Sequence, residues 1–168
     1  LRPYAAAYRD WAQGTESVSR QCSVEIDGVL LQGRVQGVHP HGIARLRPGK
    51  SSGAAAIRFG LDWLLANAAG ASLPLVVLAG HDKDDERASL RISEPLAPEQ
   101  AKSALRVLLQ MRAQGMRAPL PFAPYTGWAI YTADPRRAES AAREKWYGND
   151  FSEFAESTSA SIALAFRG

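Results

Sequence analysis

Apolar and polar residues alternate along the first fifty positions in a way that predicts one helix followed by three strands. The helix is indicated by three aromatic residues at helical spacing, Tyr4, Tyr8 and Trp11, and Gly14 marks its end. Over residues 22–26 the period changes to two, as in a half-buried strand. Asp27-Gly28 follows and predicts a tight hairpin turn, because both central positions of that turn need a positive φ. Residues 29–38 and 43–47 then give two more strands, so we predict an antiparallel three-strand meander.

The rest of the chain predicts further strands with flanking helices. In chain order these are a helix over residues 54–69 closed by Gly70, a strand over 73–79, a strand over 89–92, a helix from Pro98 to Gly115, an extended segment over 119–124 and a helix from Asp134 toward Trp146. The strand over 73–79 is continuously apolar, which is typical of a strand buried on both faces. We therefore expect an α/β fold of the α+β kind, in a single domain over residues 1–168.

Length and composition narrow the class of protein. The chain has 168 residues, enough for one domain with a real core. Its single cysteine, Cys22, excludes an internal disulfide and a cysteine-cluster metal site, and lies on the apolar face of a predicted strand. No apolar run approaches the roughly 20 residues of a membrane span. Because the sequence starts at Leu1 and no signal-peptide pattern follows, we expect a fragment of a larger cytoplasmic protein.

Positive charge is concentrated in one stretch of the sequence. The net charge is only +3, yet no acidic residue occurs between Gly28 and Leu61. Five basic residues lie there: Arg34, Arg45, Arg47, Lys50 and Arg58. Arginine suits bidentate contact with phosphate or carboxylate, so these residues are the candidates for binding nucleic acid or a partner. A solvated face without a ligand is an equally good interpretation.

Familiar catalytic and metal-binding motifs fail on their spacing. Gly49-Lys50-Ser51 lies between a strand and a helix, but a phosphate-binding loop would need a glycine at position 44, which is alanine. His39 and His41 flank a proline in a turn, and we expect both to be surface residues. The acidic run after His81 lacks the glycine and glutamate of a calcium loop, so we expect a solvated loop there.

The order of the predicted elements resembles the restriction-endonuclease-like core of the PD-(D/E)XK nucleases. Active members of that superfamily hold Mg²⁺ with an acid on the second strand and another on the third, followed by a lysine. At the matching positions this sequence has Gln36, Arg45 and Arg47. The resemblance therefore implies a degenerate nuclease-like domain with no catalytic residues, no metal and no cofactor.

Four segments together resemble one family, the C-terminal domain of RecC, the gamma subunit of the exodeoxyribonuclease V (RecBCD) helicase–nuclease. The segments are residues 31–70, 95–101, 114–121 and 142–148, whereas the tail after Gly148 departs from the family. The resemblance implies a non-catalytic module for recombinational DNA repair that docks the RecD and RecB subunits and contacts DNA within the complex. ATP would be used by those subunits.

Two other functions stay open. One is an active Mg²⁺-dependent nuclease whose acids have moved to Glu25, Asp27 or Asp62. The other is a stand-alone binder of single-stranded nucleic acid. We favour a protein partner over direct DNA contact, because the net charge is modest and residues 120–122 offer apolar surface bounded by proline.

Overall fold

A computed structural model describes residues 2–47, 52–80, 88–118, 120, 123–149 and 155–165. They group into two compact units. One comprises Leu1–Ser51 and Ala55–Leu109, and the other comprises Ser52–Ala54 and Gln110–Gly168. The first unit holds the sheet. The expectation of a single domain stays a prediction.

The first unit is built on a mixed five-stranded sheet whose strands lie side by side in chain order. The strands are β1 (Val18–Ile26), β2 (Val29–His39), β3 (Gly42–Arg47), β4 (Leu75–Gly80) and β5 (Ala88–Ser93). All neighbouring pairs are antiparallel except β3 and β4, which are parallel. This confirms the predicted meander and the mixed α/β class. Asp27 and Gly28 both have positive φ, 51° and 78°, as the predicted hairpin turn requires.

One detail of the predicted strands was wrong. The first strand begins at Val18, four residues before the predicted start, because polar residues at the edge of a sheet continue a strand as well as apolar ones do. Val29 is 46% exposed, since it follows directly on the Asp27-Gly28 turn at the end of the hairpin. β4 is buried along nearly its whole length, as predicted.

Helix α2 (Gly53–Ala68) covers one face of the sheet. Its residues Phe59, Trp63 and Ala66 belong to an apolar cluster with residues of four strands. Those strand residues are Cys22, Val35, Val38, Ile43 and Leu75. The fully buried Cys22 agrees with its predicted place in the core. Helix α1 (Arg2–Ala12) contacts β4 and β5. Helix α3 (Pro98–Gly115) adds buried Ala101 and Leu105 to a second cluster.

The second unit contains three further helices: α4 (Pro124–Thr132), α5 (Ala138–Tyr147) and α6 (Ala160–Ala165). The helix predicted after Asp134 is present as one 3₁₀ turn leading into α5, and the Asp134 carboxylate accepts the N–H of Arg136, as a helix cap does. Helix α4 was not predicted. Three of the six residues of the extended segment predicted over 119–124 lie outside the described residues, and its last residue, Pro124, begins α4.

A distant carboxylate caps α4. Ala123, at the N-cap position, has no side chain that could accept a hydrogen bond. Glu156, which is 2% exposed, accepts the N–H of Tyr125 at 3.0 Å and that of Thr126 at 2.7 Å. A helix begins with unpaired N–H groups and a partial positive charge, so the buried carboxylate satisfies both.

Candidate functional site

A β-bulge in β2 shapes the region around the predicted site residues. Between the cross-strand pairs Val35–Arg20 and Val38–Val18, β2 advances three residues while β1 advances two. The extra length is taken up at Gly37, whose φ is +62°. A Cβ atom at position 37 would lie 2.7 Å from a carbonyl oxygen of β3, so only glycine fits without a shift.

Arg45 of β3 ties this bulge to helix α2. Its guanidinium donates to the carbonyl oxygens of Gln36 and Ala44, at 2.5 and 3.0 Å. It also pairs with the Asp62 carboxylate of α2, with 2.5 Å between Nη2 and Oδ2. The Arg45 side chain is 11% exposed and that of Asp62 is 41% exposed. Two positions singled out by the nuclease resemblance, Gln36 and Arg45, are therefore in direct contact, through the Gln36 backbone.

The other predicted basic residues do not share one surface. Arg47 lies two residues after Arg45, on the same face of β3, and is half-buried. Arg34 is exposed and precedes the fully buried Val35, so its side chain lies on the face of β2 that points away from α2. Arg58 is exposed on α2. Lys50 lies outside the described residues.

Arg20 is a site residue that the sequence analysis missed. It lies opposite Val35 in the β1–β2 ladder, and therefore on the α2 side of the sheet with Arg45. The pKa of Cys22 reflects this placement: burial raises it, the Arg20 charge lowers it and the Asp62 charge raises it. The alternation along β1 could have revealed Arg20, because it has the same parity as the buried Cys22. We call Arg20, Arg45 and Arg47 the arginine face.

Two of the acids considered for a relocated nuclease site are paired with arginines. Asp27, in the hairpin turn, accepts two hydrogen bonds from Arg106 of α3, at 2.7 and 3.1 Å. These bonds hold the pKa of Asp27 below its usual value. Asp62 is paired with Arg45. Across the part of the chain that the structure describes, no three His, Cys, Asp or Glu side chains come together as a metal site would need.

The expectation that His39 is a surface residue was wrong. His39 is 2% exposed, because the bulge turns its side chain toward α1. The Thr15 hydroxyl gives its one proton to the Ala12 carbonyl, so it accepts from Nδ1–H of His39, 2.9 Å away. Nε2 of His39 then accepts from the Tyr8 hydroxyl at 2.9 Å. His41 is half-buried and donates from Nε2 to a carbonyl of α1. Both histidines hold α1 to the sheet.

The fold is a mixed α/β domain in which the Arg45 guanidinium joins β2 and β3 to helix α2. Comparison with protein families agrees with the earlier resemblance: the model of the RecC C-terminal domain matches residues 1–135. The chain belongs to the RecC C-terminal domain family, and its role is related to that of RecC in the RecBCD complex of DNA repair and recombination. The helix at 142–148, also counted toward the resemblance, lies beyond the matched residues.

A search of curated proteins gave no match to this chain. Within the described residues, no helix combines the length and apolar character that crossing a membrane requires.

Proposed function

We propose that this chain is a non-catalytic docking and scaffolding module of RecBCD. In this proposal it binds the RecD and RecB subunits in the cytoplasm and contacts DNA only within the assembled complex. The observation that carries the proposal is the Arg45 guanidinium, which is fixed between the Gln36 carbonyl and the Asp62 carboxylate.

Arg45 opposes metal-dependent cleavage at this place on electrostatic grounds. Mg²⁺ requires anionic oxygen ligands, and a permanent positive charge here repels it. The carboxylate of Asp62 is already paired with the arginine. We infer that the Arg45 guanidinium holds the site together and that the site does not bind a metal ion from solution.

A protein partner agrees better than DNA with the distribution of charge. The exposed Arg34 and Arg58 lie on different surfaces, and Arg45 is largely covered by its own partners. A DNA-binding groove would instead align several cations along one path of phosphates. The first unit also exposes several large apolar side chains along its strands, such as Leu46 at 48% and Ile92 at 54%, which suit contact with protein.

The first experiment is a pull-down of RecD and of RecB by the purified chain. We expect the unmodified chain to retain RecD, and Arg47→Glu to reduce retention about tenfold, because it reverses a charge on the arginine face. Arg112→Glu makes the same change in net charge on an exposed part of α3 and serves as the matched control. If both variants retain RecD as well as the unmodified chain does, the arginine face is not part of the interface.

Arg45 needs a different design, because its contacts also support the fold. Arg45→Glu alone places two carboxylates together and should lower stability, whereas the double variant Arg45→Glu with Asp62→Arg restores an ion pair with reversed polarity. Urea unfolding would report how far stability recovers. If the double variant folds but no longer retains RecD, Arg45 acts through its charge at the surface; if it retains RecD fully, Arg45 is purely structural.

Catalysis is tested with Mg²⁺ and Mn²⁺ on linear duplex and single-stranded DNA. We expect no cleavage by the purified chain. Cleavage that disappears in Asp62→Asn or Asp27→Asn would contradict the proposal and establish the relocated nuclease.

A further inference from the structure

Strand β1 forms an open edge of the sheet. In the described sheet it pairs with β2 alone, and it is nine residues long. Its first four residues, Val18–Gln21, are all exposed. The outer edge of such a strand presents unpaired N–H and C=O groups to solvent.

An open groove of about 680 Å³ lies beside this exposed half of β1. Residues 18–21 form one side of it. The floor is largely apolar and comes from the end of β2 and from the segment before β4: Val38, Pro40, Ala71 and Leu73. An extended peptide added to β1 would turn every second side chain toward this floor. The groove therefore offers side-chain pockets next to a free backbone edge.

Within the described part of the chain, the groove carries one cation, Arg20, and one anion, Glu16, so an acidic side chain of an occupant is favoured beside Arg20 and away from Glu16. Arg20 lines the groove, is exposed, and has no acidic partner among the described residues. A carboxylate on the incoming strand could pair with its guanidinium. Single-stranded nucleic acid fits less well, because such ligands need aromatic platforms and several cations. Among the described residues that line the groove, the one aromatic ring is that of His39, which is buried, and Arg20 is the one cation.

We propose that β1 accepts an extended, acidic segment of a partner protein as a sixth strand, with a carboxylate of that segment on Arg20. This inference rests on the proposed docking function and specifies the kind of segment that docks. Backbone hydrogen bonds along β1 supply most of the affinity, and Arg20 with the apolar floor supplies the selection.

The test uses a synthetic peptide, so that it does not depend on any RecBCD subunit. The probe is a fluorescein-labelled peptide of alternating Thr and Val, about as long as β1, with one central Glu. Two control peptides keep its length. One replaces Glu by Lys, and the other carries N-methyl groups on alternate residues, which removes the donors along one edge. Fluorescence anisotropy with the whole chain measures binding.

We expect the Glu peptide to bind about threefold or more tightly than the Lys peptide, and the N-methylated peptide to lose about tenfold or more. Arg20→Glu should invert the preference for Glu over Lys. Arg112→Glu, at an exposed position of α3 that does not line the groove, is the matched control and should leave the preference unchanged. Hydrogen exchange should slow at the amides of residues 18–21 when the peptide binds.

Three outcomes would overturn the inference: no peptide binding, equal binding of the N-methylated peptide, or displacement of the peptide by a thymidine oligonucleotide at lower concentration than by unlabelled peptide. The last would assign the groove to nucleic acid. The proposed function fails separately, if the chain retains neither RecD nor RecB in the pull-down. If the chain retains RecD but does not bind the peptide, the docking function is supported and the β1 edge is rejected as the docking site.

Discussion

His39 secures α1 through hydrogen bonds that suit only its neutral form. Nδ1–H is committed to Thr15, and Nε2 accepts from the Tyr8 hydroxyl. A second proton on Nε2 would point at that hydroxyl and break the existing donation. Burial lowers the pKa of His39, and the nearby His41 lowers it further. The folded state therefore resists protonation at this residue.

The pH dependence of stability follows from that shift. In the unfolded chain His39 binds its proton near pH 6.5, and in the folded chain only at lower pH, so acid favours the unfolded state. We expect the free energy of unfolding to fall as the pH decreases below about 6.5. Urea unfolding between about pH 7.5 and 5.5 checks this. In His39→Gln the free energy of unfolding should depend less on pH, because the contribution of His39 is removed. An unchanged dependence on pH would mean that other groups cause it.

Asn67 fastens the end of α2 to the segment that enters β4. It is fully buried, donates from Nδ2 to the carbonyls of Trp63 and Leu73, and accepts the N–H of Leu73. We expect Asn67→Ala to lower stability by about 2–4 kcal/mol, because buried backbone groups of Leu73 lose their partner. Gln110→Ala, at an exposed position, should change stability by less than about 0.5 kcal/mol. If the two variants lose equally little stability in urea unfolding, water takes over the hydrogen bonds of the Asn67 amide.

At the scale of elements, Glu156 stabilises α4 from about 30 residues away in the chain. Glu156→Ala leaves two N–H groups unpaired at the start of the helix, and we expect a loss of about 1–2 kcal/mol. Glu144→Ala, at an exposed position of α5, is the control. Thermal unfolding followed by circular dichroism measures both. Similar losses in the two variants would mean that α4 does not depend on the distant carboxylate.

The strands and most helices were predictable because their signals are local. Period-two alternation, the Asp27-Gly28 turn and the capping by Asp134 each lie within a few residues of the element they specify. Helix α4 gave only one local signal, Pro124 at its first position, and no clear apolar face. Ala123 is a poor cap, and the residue that caps the helix comes 30 positions later. Local patterns cannot reveal a partner that only the tertiary fold supplies.

The candidate site was predictable only in part, for a similar reason. Gln36 and Arg45 were identified through the nuclease resemblance, and the structure brings them together. The pairing of Arg45 with Asp62 depends on how α2 crosses the sheet, which no spacing encodes. The buried position of His39 follows from the bulge at Gly37. A glycine inside a strand is a recognised sign of a bulge. Which face of the sheet the residues after the bulge occupy can be told only once the pairing of β1 with β2 is known.

At the scale of the whole molecule, the proposed docking function predicts a weak dependence of RecD binding on salt concentration. A docking surface that uses a few exposed arginines should lose less than about tenfold in RecD affinity between about 0.05 and 0.5 M NaCl. A protein that neutralises 6–10 phosphates would lose about 10³–10⁵ over a narrower range. Titrations at several salt concentrations, with RecD and with an oligonucleotide, measure the two slopes. A steep slope for RecD would assign its binding to a much larger set of charges.

The strand order of the sheet has a consequence for how the chain acquires its structure. Each strand lies beside the one made just before it, so no strand must wait for a distant segment to be synthesised. Only the step from β3 to β4 spans a helix. Closing short loops costs little entropy, and folds rich in such local pairings form quickly. The sheet can therefore assemble strand by strand as the polypeptide leaves the ribosome, with β5 completing a surface on which the earlier strands are already paired.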